Sequence, residues 1–357
     1  MKIILMVPEM DLGGVEEGTY DLAVGFKKSG HIPVIVSATG SYIPRIKQEG
    51  IRWIDFPMFN RTPWDFFRGL GLLKKILEKE EPHILHCRSR FPAWIGFYAV
   101  QSFPGTHFVT SVHGFHSKNF YSRILGRAER IIAVSKALKH HSIEDLKMSP
   151  EKMRVVYNGV NFEPFINLKK IPHKDFIVGS IGRFTEVKGY QDLVRAAGLL
   201  GGRIPGLKIQ LTGSGNYEKY LRKLAKRLNL KNVFFAKGRS CEFFSNIDIL
   251  VAPHISPEWG EDTEDVWLGR TAIEAQLSGI PVITTLKGIK QGDFLVKRDA
   301  VYVGAKDPGG IANAVMYLKN NPEEAGKIVV SAKAGAIGKF SVDTMVKKTL
   351  NVYEEVL

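Results

Sequence analysis

The chain has 357 residues, of which 44% are hydrophobic and 24% charged, and its formal net charge is +14. This length predicts two domains of about 150–180 residues each, and the composition excludes collagen and disordered chains. The positive charge suits nucleic acid, an anionic membrane surface or small phosphorylated ligands. The basic residues form neither a tail nor a run of five like charges, which weakens the nucleic-acid interpretation.

The two cysteines, Cys87 and Cys241, lie far apart and form no Cys-x-x-Cys motif, so neither a zinc ribbon nor a disulfide framework is expected. Isolated thiols are typical of a reducing cytoplasm. The apolar residues 1–8 are too few for a signal peptide and predict a buried first strand. Because no run of about 18 apolar residues occurs, we expect no membrane span.

Short apolar runs alternate with helical patterns along the first part of the chain. Predicted helices cover 20–29 and 65–79. Runs that are apolar throughout, rather than at alternate positions, indicate a parallel sheet covered on both faces. The predicted strands are residues 3–8, 33–37, 52–56, 83–87, 107–112, 130–134 and 154–157.

Residues 161–175 break this alternation and predict a linker, because they hold two prolines and several lysines without a clear period. The pattern then restarts and ends in a helical stretch over 341–357. We expect an α/β fold with two doubly wound, Rossmann-like domains, 1–163 and 164–340, facing a central cleft. The later strands are predicted at 176–180, 208–211, 232–235, 247–252, 281–285 and 300–303.

Two motifs follow strands of the first domain, at the sheet edge where such folds bind ligands. Adjacent Gly13 and Gly14 let backbone amides approach an anion at a helix start, although an ordinary βα turn has the same pattern. His113 follows strand 107–112 and suits a ligand site or a structural hydrogen bond. The other histidines lack metal-ligand spacing, so no metal site is predicted.

In the second domain, Gly182, Arg183 and Lys188 lie in a turn between a strand and a helix. The planar fork of an arginine and the point charge of a lysine together suit a diphosphate. We therefore predict a phosphate site at this turn rather than solvated surface charges.

A second glycine turn, Gly213 to Gly215, also connects a strand to a helix. It superficially resembles a dinucleotide loop, but Glu218 stands where the third glycine of that fingerprint belongs. We interpret it as a turn that lines a nucleotide site and not as evidence for NAD.

The most informative pattern begins at Gly269, which opens a helix, and continues with Arg270 and Thr271. Free amides at a helix start bind phosphate or sugar oxygens. One turn later Glu274 offers a carboxylate that can accept both hydroxyls of a ribose, whereas a capped helix with an incidental glutamate would leave the pattern unexplained.

These motifs occur in a fixed order along essentially the whole chain. They are Gly13-Gly14-Val15-Glu16, His113-Gly114, Ala133-Val134-Ser135, Tyr157-Asn158-Gly159-Val160, Gly182-Arg183 through Lys188-Gly189, Gly213-Ser214-Gly215, Asp248, Pro253, and Glu274-Ala275 through Gly279-Ile280-Pro281-Val282. The ordered set resembles family-4 retaining glycosyltransferases of the GT-B architecture. The resemblance implies that the helix over 341–357 crosses back onto the first domain.

The resemblance implies a role for each matching position. Arg183 and Lys188 would hold the donor diphosphate, Glu274 the donor ribose, and His113 the reacting face of the donor sugar, with Gly14 beside the phosphate and acceptor. The expected donor-binding set is Gly14, Gly182, Arg183, Lys188, Gly213, Gly215, Gly269, Arg270, Thr271 and Glu274. The expected catalytic set is His113, Arg183, Lys188, Glu264 and Asp265.

Glu264 and Asp265 are included because the chain departs from the family pattern at one place. The family has a glutamate eight positions before the ribose glutamate, where this chain has Val266. A short insertion or bulge would let Glu264 or Asp265 supply that carboxylate.

The acceptor is predicted to bind the first domain, through Gly13, Glu16, Arg88, Arg90 and Ser135. The run from His86 to Trp94 resembles family members that build lipopolysaccharide core or other surface glycans, which implies an anionic or lipid-linked glycan. Residues 59–75 mix aromatic and basic side chains, as an interfacial membrane contact or an ordinary covering helix would. We expect a cytoplasmic protein, and the first of these two alternatives would make it peripheral on the inner face of the cytoplasmic membrane.

The implied reaction moves a sugar from a nucleotide diphosphate, most simply UDP, with retained anomeric configuration. No carboxylate is an obvious nucleophile for two displacements, so we favour same-face attack through an oxocarbenium-like state. No Asp-x-Asp triplet occurs, and neither a metal nor another cofactor is expected. The alternatives are a nucleotide-sugar epimerase or phosphorylase of the same architecture, a nicotinamide dehydrogenase, and a basic nucleic-acid-binding protein. The dehydrogenase is disfavoured because this chain lacks the full glycine fingerprint of that class.

Overall fold

A computed structural model describes residues 1–11, 13–56, 62–238, 240–255 and 269–357. The chain divides into two compact units, Met1–Val160 with Phe340–Leu357, and Asn161–Lys339. The sequence placed the domain boundary between 163 and 164, and the structure places it between Val160 and Asn161.

In its described residues, the first unit contains one sheet of seven parallel strands in the order β3-β2-β1-β4-β5-β6-β7. The strands are β1 (Lys2–Glu9), β2 (Ile32–Ala38), β3 (Arg52–Asp55), β4 (Ile84–Cys87), β5 (His107–Val112), β6 (Arg130–Ala133) and β7 (Met153–Val155). The helices before the domain boundary are α1 (Gly14–Lys28), α2 (Ile43–Gln48), α3 (Pro63–Glu80), α4 (Arg90–Val100) and α5 (Lys136–Glu144).

The described part of the second unit also contains one sheet of seven strands. The strands are β8 (Phe176–Ile181), β9 (Leu207–Thr212), β10 (Val233–Ala236), β11 (Ile249–Ala252), β12 (Val282–Thr285), β13 (Phe294–Val296) and β14 (Val301–Val303). Their order is β10-β9-β8-β11-β12-β14-β13, and only β13 is antiparallel to its neighbour. The helices are α6 (Glu163–Ile166), α7 (Tyr190–Leu200), α8 (Glu218–Arg227), α9 (Ser240–Ser245), α10 (Arg270–Leu277), α11 (Pro308–Asn320) and α12 (Pro322–Lys339).

The central strands of both sheets are buried because their apolar side chains alternate between two covered faces, whereas the edge strands β3, β10 and β13 are partly exposed. In β1, every residue from Ile3 to Val7 is fully buried. Burying each such side chain contributes about 1.5–3 kcal/mol. The prediction of two doubly wound α/β domains is confirmed, and the strand order reverses between β1 and β4 and again between β8 and β11. Ligands bind outside the carboxyl ends of strands at such reversals.

The last helix, α13 (Val342–Glu354), belongs to the first unit. Its buried Val346 lies in the space that a side chain on Gly25 of α1 would need. After the helix, Oε2 of Glu355 accepts hydrogen bonds from Nε of Arg130 (2.7 Å) and from Nη2 of Arg154 (2.6 Å). Apolar packing and ion pairs therefore both attach the end of the chain to the first sheet.

Two elements of the second unit differ from the prediction. The short helix α6 lies inside the stretch 161–175 that the sequence predicted as a linker. Strand β13 was not predicted, because three residues at a sheet edge are too few to show a pattern.

Candidate active site

The glycine-containing turns after β8 and β9 are hydrogen-bonded to each other at the carboxyl ends of these strands. The amide of Gly182 donates to the carbonyl oxygen of Thr212 (3.0 Å), and the amide of Phe184 donates to that of Ser214 (2.8 Å). Gly213 has a φ of +145°, and a side chain there would overlap the carbonyl oxygen of Gly182. This contact fixes the backbone beneath the exposed side chain of Arg183.

The short 3-10 turn that carries Lys188 is held against the end of β11. It stops at Gly189, whose φ is +68° and where a side chain would overlap the carbonyl oxygen of Pro253. The amide of Ile255 also donates to the carbonyl oxygen of Val187 (3.1 Å). These contacts position Lys188 at the carboxyl ends of β8 and β11.

Lys188 shares one pocket with His254 and with the start of α10, from Gly269 to Thr271. Burial lowers the pKa of Lys188, and the nearby charge of Arg183 lowers it further. Burial and the charge of Lys188 lower the pKa of His254 to about 3. His254 is therefore neutral at pH 7, and the positive charge at the pocket comes from Lys188, from Arg270 and from the nearby Arg183.

The first turn of α10 supplies further groups that attract an anion. The first amides of a helix have no partner within it, and the helix dipole places partial positive charge at this end. Gly269, with a φ of +83°, precedes the helix, and Arg270 and Thr271 begin it. Amide groups and cations thus meet in one pocket at a reversal of strand order, which suits a phosphate.

The carboxylate of Glu274 is buried one turn inside α10, with 7% of the residue exposed. Its Oε1 accepts from Nε of Arg270 at 3.0 Å. Arg270, which the sequence assigned to donor binding, is thus also a partner that orients Glu274.

In the first unit, Gly13 and Gly14 lie at the start of α1, after β1. A side chain on Gly13 would overlap the carboxylate of Glu16. Among the described residues, nothing lies within 4 Å of where a Cβ of Gly14 would stand. Packing against the described residues therefore does not require a glycine at 14, whereas the close approach of a ligand would.

Arg88 and His113 follow the adjacent strands β4 and β5 and are both buried at their nitrogen atoms. Among the described residues, Nε and Nη2 of Arg88 and both ring nitrogens of His113 have no hydrogen-bond partner. Burial lowers the pKa of Arg88 to about 10, although the nearby Tyr353, Glu16 and Asp21 act to raise it. Burial, with the charge of Arg88, holds the pKa of His113 well below its usual range. Unpaired buried groups cost free energy, so this pair is a candidate site and not ordinary core.

Comparison with known proteins identifies both halves of the chain. The model for Glycosyltransferase Family 4 matches residues 12–164, and the model for Glycosyl transferases group 1 matches residues 161–334. The chain is a two-domain glycosyltransferase. It is 25% identical to an uncharacterized glycosyltransferase of Methanocaldococcus jannaschii, over 99% of this chain and 98% of that protein.

Solved structures agree with this assignment. A glycosyltransferase from Rickettsia africae has a TM-score of 0.84 at 26% identity and covers 99% of this chain and 98% of its own. Anabaena HepE in complex with UDP-glucose has a TM-score of 0.79 at 20% identity, over 100% of this chain and 99% of its own. The predicted GT-B fold class of this glycosyltransferase is confirmed.

His86, to which the sequence gave no role, is fully buried in this glycosyltransferase. Its Nδ1 lies 2.7 Å from the phenol oxygen of Tyr353, and its Nε2 lies 2.6 Å from the hydroxyl of Ser111. Burial, with the charge of Arg88, holds its pKa well below the usual range. Neutral His86 therefore joins α13 to β4 and β5 beside Arg88.

Two residues predicted to bind the acceptor have partners within the first unit. Arg90 donates to the hydroxyl of Ser122 (3.1 Å), and its guanidinium lies 5.2 Å from the ring centre of Tyr121. The buried hydroxyl of Ser135 accepts from the amide of Leu138 (3.1 Å) and caps α5. These contacts hold both side chains within the first unit, and their binding to an acceptor stays a prediction.

Glu264 and Asp265 lie outside the described residues. Within the part of the glycosyltransferase that the structure describes, no three His, Cys, Asp or Glu side chains cluster as a metal site would require. In the same part of the chain, no helix is both long and apolar enough to cross a membrane.

Proposed function

We propose that this glycosyltransferase moves a sugar from a UDP-sugar to a hydroxyl of a glycan or lipid-linked acceptor, with retention of anomeric configuration. The observation that carries the proposal is the pocket that Lys188 shares with the start of α10. A diphosphate needs the cations and amides of this pocket, and a ribose needs an acceptor such as the Glu274 carboxylate. The UDP-glucose held by HepE supports UDP as the nucleotide.

The leaving group gains negative charge as the bond between the anomeric carbon and the diphosphate breaks. Arg183 and Lys188 would stabilise that charge, because they lie beside the same turn and each carries a positive charge. The acceptor hydroxyl would attack from the face that the diphosphate leaves and pass its proton to the departing phosphate oxygen. With two side-chain cations in place, we infer that the enzyme needs no metal.

His113 suits a role at the donor sugar because it is neutral and its ring nitrogens are unpaired among the described residues. A neutral imidazole offers one hydrogen-bond donor and one acceptor, which together match a sugar hydroxyl. This chain has Val266 where the family has a glutamate, and we assign the role of that glutamate to Glu264 or Asp265. Full turnover in both Glu264→Gln and Asp265→Asn would exclude that assignment.

For the acceptor we propose an anionic or lipid-linked glycan, with lipopolysaccharide core as the first case to assay. The buried, unpaired nitrogens of Arg88 support this choice, because a ligand anion would supply the partner that the described residues do not.

Calorimetry with UDP, GDP and ADP in the presence of EDTA tests the donor site. We expect selective binding of UDP, lost in Arg183→Ala and retained in Lys223→Ala, an exposed cation on α8. If no nucleotide binds, or if binding survives Arg183→Ala, the proposed donor site is wrong. Conversion of a UDP-sugar to its epimer without an acceptor would instead identify an epimerase.

A further inference from the structure

An unusual set of exposed aromatic side chains covers one side of the first unit. We call Trp64, Phe67, Tyr98 and Phe120 the aromatic face; they are 80%, 63%, 45% and 74% exposed. Trp64 and Phe67 lie three residues apart on the outer side of α3, so they are neighbours on that helix. Monomeric proteins rarely expose so many large apolar groups together.

Partly buried rings connect Phe67, Tyr98 and Phe120 into one continuous surface. Phe66 lies between Phe67 and Tyr98, with ring centres 5.4 and 5.7 Å away. Trp94 lies between Tyr98 and Phe120, at 6.2 and 5.3 Å. The Trp94 ring is oriented by its own Nε1, which donates to the carbonyl oxygen of Tyr121 at 3.1 Å.

A groove of about 450 Å³ opens between α3 and α4 within this face. Every side chain that lines it is aromatic or aliphatic, and the lining residues are Phe66, Phe67, Leu70, Trp94 and Tyr98. Such a groove offers hydrocarbon a largely apolar surface, because the indole nitrogen of Trp94 already donates to Tyr121 and the hydroxyl of Tyr98 is the other polar group of the lining side chains.

Basic residues outnumber acidic ones in the two sequence segments that carry the aromatic face, 62–75 and 82–128. No aspartate or glutamate occurs from residue 82 to residue 128, a stretch that carries Arg123 directly after the turn at Phe120. On α3, Arg68 follows Phe67 and is exposed. Asp65, the one acidic residue between 62 and 75, accepts a hydrogen bond from the hydroxyl of Thr62 (2.8 Å) in the helix cap, and its charge opposes that of only one of these arginines.

We propose that the aromatic face docks this enzyme on an anionic lipid bilayer, with a lipid hydrocarbon chain in the groove. Aromatic side chains are favoured at the headgroup boundary, and each nearby Lys or Arg strengthens attraction to anionic lipid. The excess of basic residues disfavours a second copy of the chain as the occupant, because two such faces would bring like charges together. The inference does not require the donor site, although it is consistent with the lipid-linked acceptor proposed above.

Vesicle flotation of the full chain tests the proposal, with vesicles of phosphatidylcholine alone or mixed with phosphatidylglycerol. We expect binding to the anionic vesicles at low salt, weakened about tenfold or more by the pair Trp64→Ser and Phe67→Ser. The pair Arg68→Gln and Arg123→Gln should weaken it about thirtyfold. Unchanged unfolding temperature and UDP binding in each variant would show that the fold and donor site are intact.

Two matched controls lie in the second unit. Val330→Ser removes an apolar side chain that is 71% exposed, and Lys223→Gln with Lys226→Gln removes two exposed charges from α8. Absence of flotation at low salt, equal binding to neutral vesicles, or equal losses in the controls would overturn the proposal. A dimer at micromolar concentration that Trp64→Ser and Phe67→Ser dissociate would show that the face binds a second copy instead.

Discussion

The phenol oxygen of Tyr353, in the last helix, lies 2.7 Å from Nδ1 of His86, a residue 267 positions earlier. Nε2 of His86 lies 2.6 Å from the hydroxyl of Ser111, so the two contacts fix the orientation of the ring. Each hydroxyl can donate or accept, so both ring nitrogens of a neutral imidazole have a partner in either tautomer. This hydrogen bond attaches the end of the chain beside Arg88 and His113.

Tyr353→Phe should lower the free energy of unfolding of the first unit by about 1–3 kcal/mol, because one nitrogen of buried His86 would lose its partner. Urea denaturation followed by fluorescence measures the change. The control is Tyr220→Phe, since the Tyr220 side chain is 39% exposed and should matter little. Equal stability of Tyr353→Phe and wild type would show that the contact contributes nothing.

The final helix illustrates what the sequence could predict. Its helical period was visible from residue 341, but the pairing of Tyr353 with His86 depends on a separation of 267 residues that no local pattern encodes. Strands such as β1 were predicted because both of their faces are buried, so that their apolar runs are continuous. Strand β13 and helix α6 were missed because three and four residues carry no period.

The site shows the same limit. Motif spacing predicted Arg183, Lys188 and Glu274 after strands or at a helix start, and the structure places each of them there. It could not predict that Arg270 would pair with Glu274, or that Arg90 would turn toward Tyr121, because both depend on side-chain rotamers.

The pair of Glu274 and Arg270 leads to a prediction about UDP affinity. Glu274→Gln removes the charged acceptor at constant size and should raise the Kd for UDP about tenfold or more, as expected for hydrogen bonds to a charged group. Arg270→Gln should have the smaller effect if Arg270 mainly orients the carboxylate. Calorimetry measures both values.

The control for this comparison is Lys327→Gln, which breaks an exposed ion pair of 2.6 Å with Glu324 on α12. Exposed pairs contribute little, so UDP binding should not change. A larger loss in Arg270→Gln than in Glu274→Gln would mean that Arg270 itself holds the nucleotide.

Gly189→Ala tests the contact that positions Lys188. A methyl group there would overlap the carbonyl oxygen of Pro253 and would also strain a backbone with a φ of +68°. We expect a loss of about 3 kcal/mol or more in the second unit, together with weaker UDP binding. Gly202→Ala is the control, since its φ of +76° is similar but no described atom lies within 4 Å of the added methyl group.

In that control only the backbone strain remains, at about 1–2 kcal/mol. Thermal and urea unfolding separate the two variants. Equal losses would show that the overlap with Pro253 is relieved by a small shift and does not position Lys188.

Stability should fall as the pH drops below about 6.5, the ordinary pKa of an unfolded histidine. The pKa values of His86 and His113 lie well below this range, that of His116 is about 4, and that of His254 is about 3. Below pH 6.5 the unfolded chain therefore binds protons that the folded chain does not, which favours unfolding.

Each such histidine contributes a slope of up to about 1.4 kcal/mol per pH unit below 6.5, and the loss continues until the pH reaches its folded-state pKa. His254→Asn should reduce the slope for the second unit between pH 6 and 4. Denaturation series at several pH values measure the slopes. Stability that is constant from pH 7 to 5 would contradict the prediction.

His113→Gln should separate catalysis from nucleotide binding. The pocket that contains Lys188 is built entirely from second-unit residues, so the Kd for UDP should stay within about twofold of wild type. The glutamine amide cannot reproduce the geometry of the imidazole, and losing a hydrogen bond made in the transition state typically costs about 100-fold in kcat. Steady-state transfer kinetics and calorimetry on the same preparation measure both quantities, and a kcat unchanged from wild type would return His113 to a structural role.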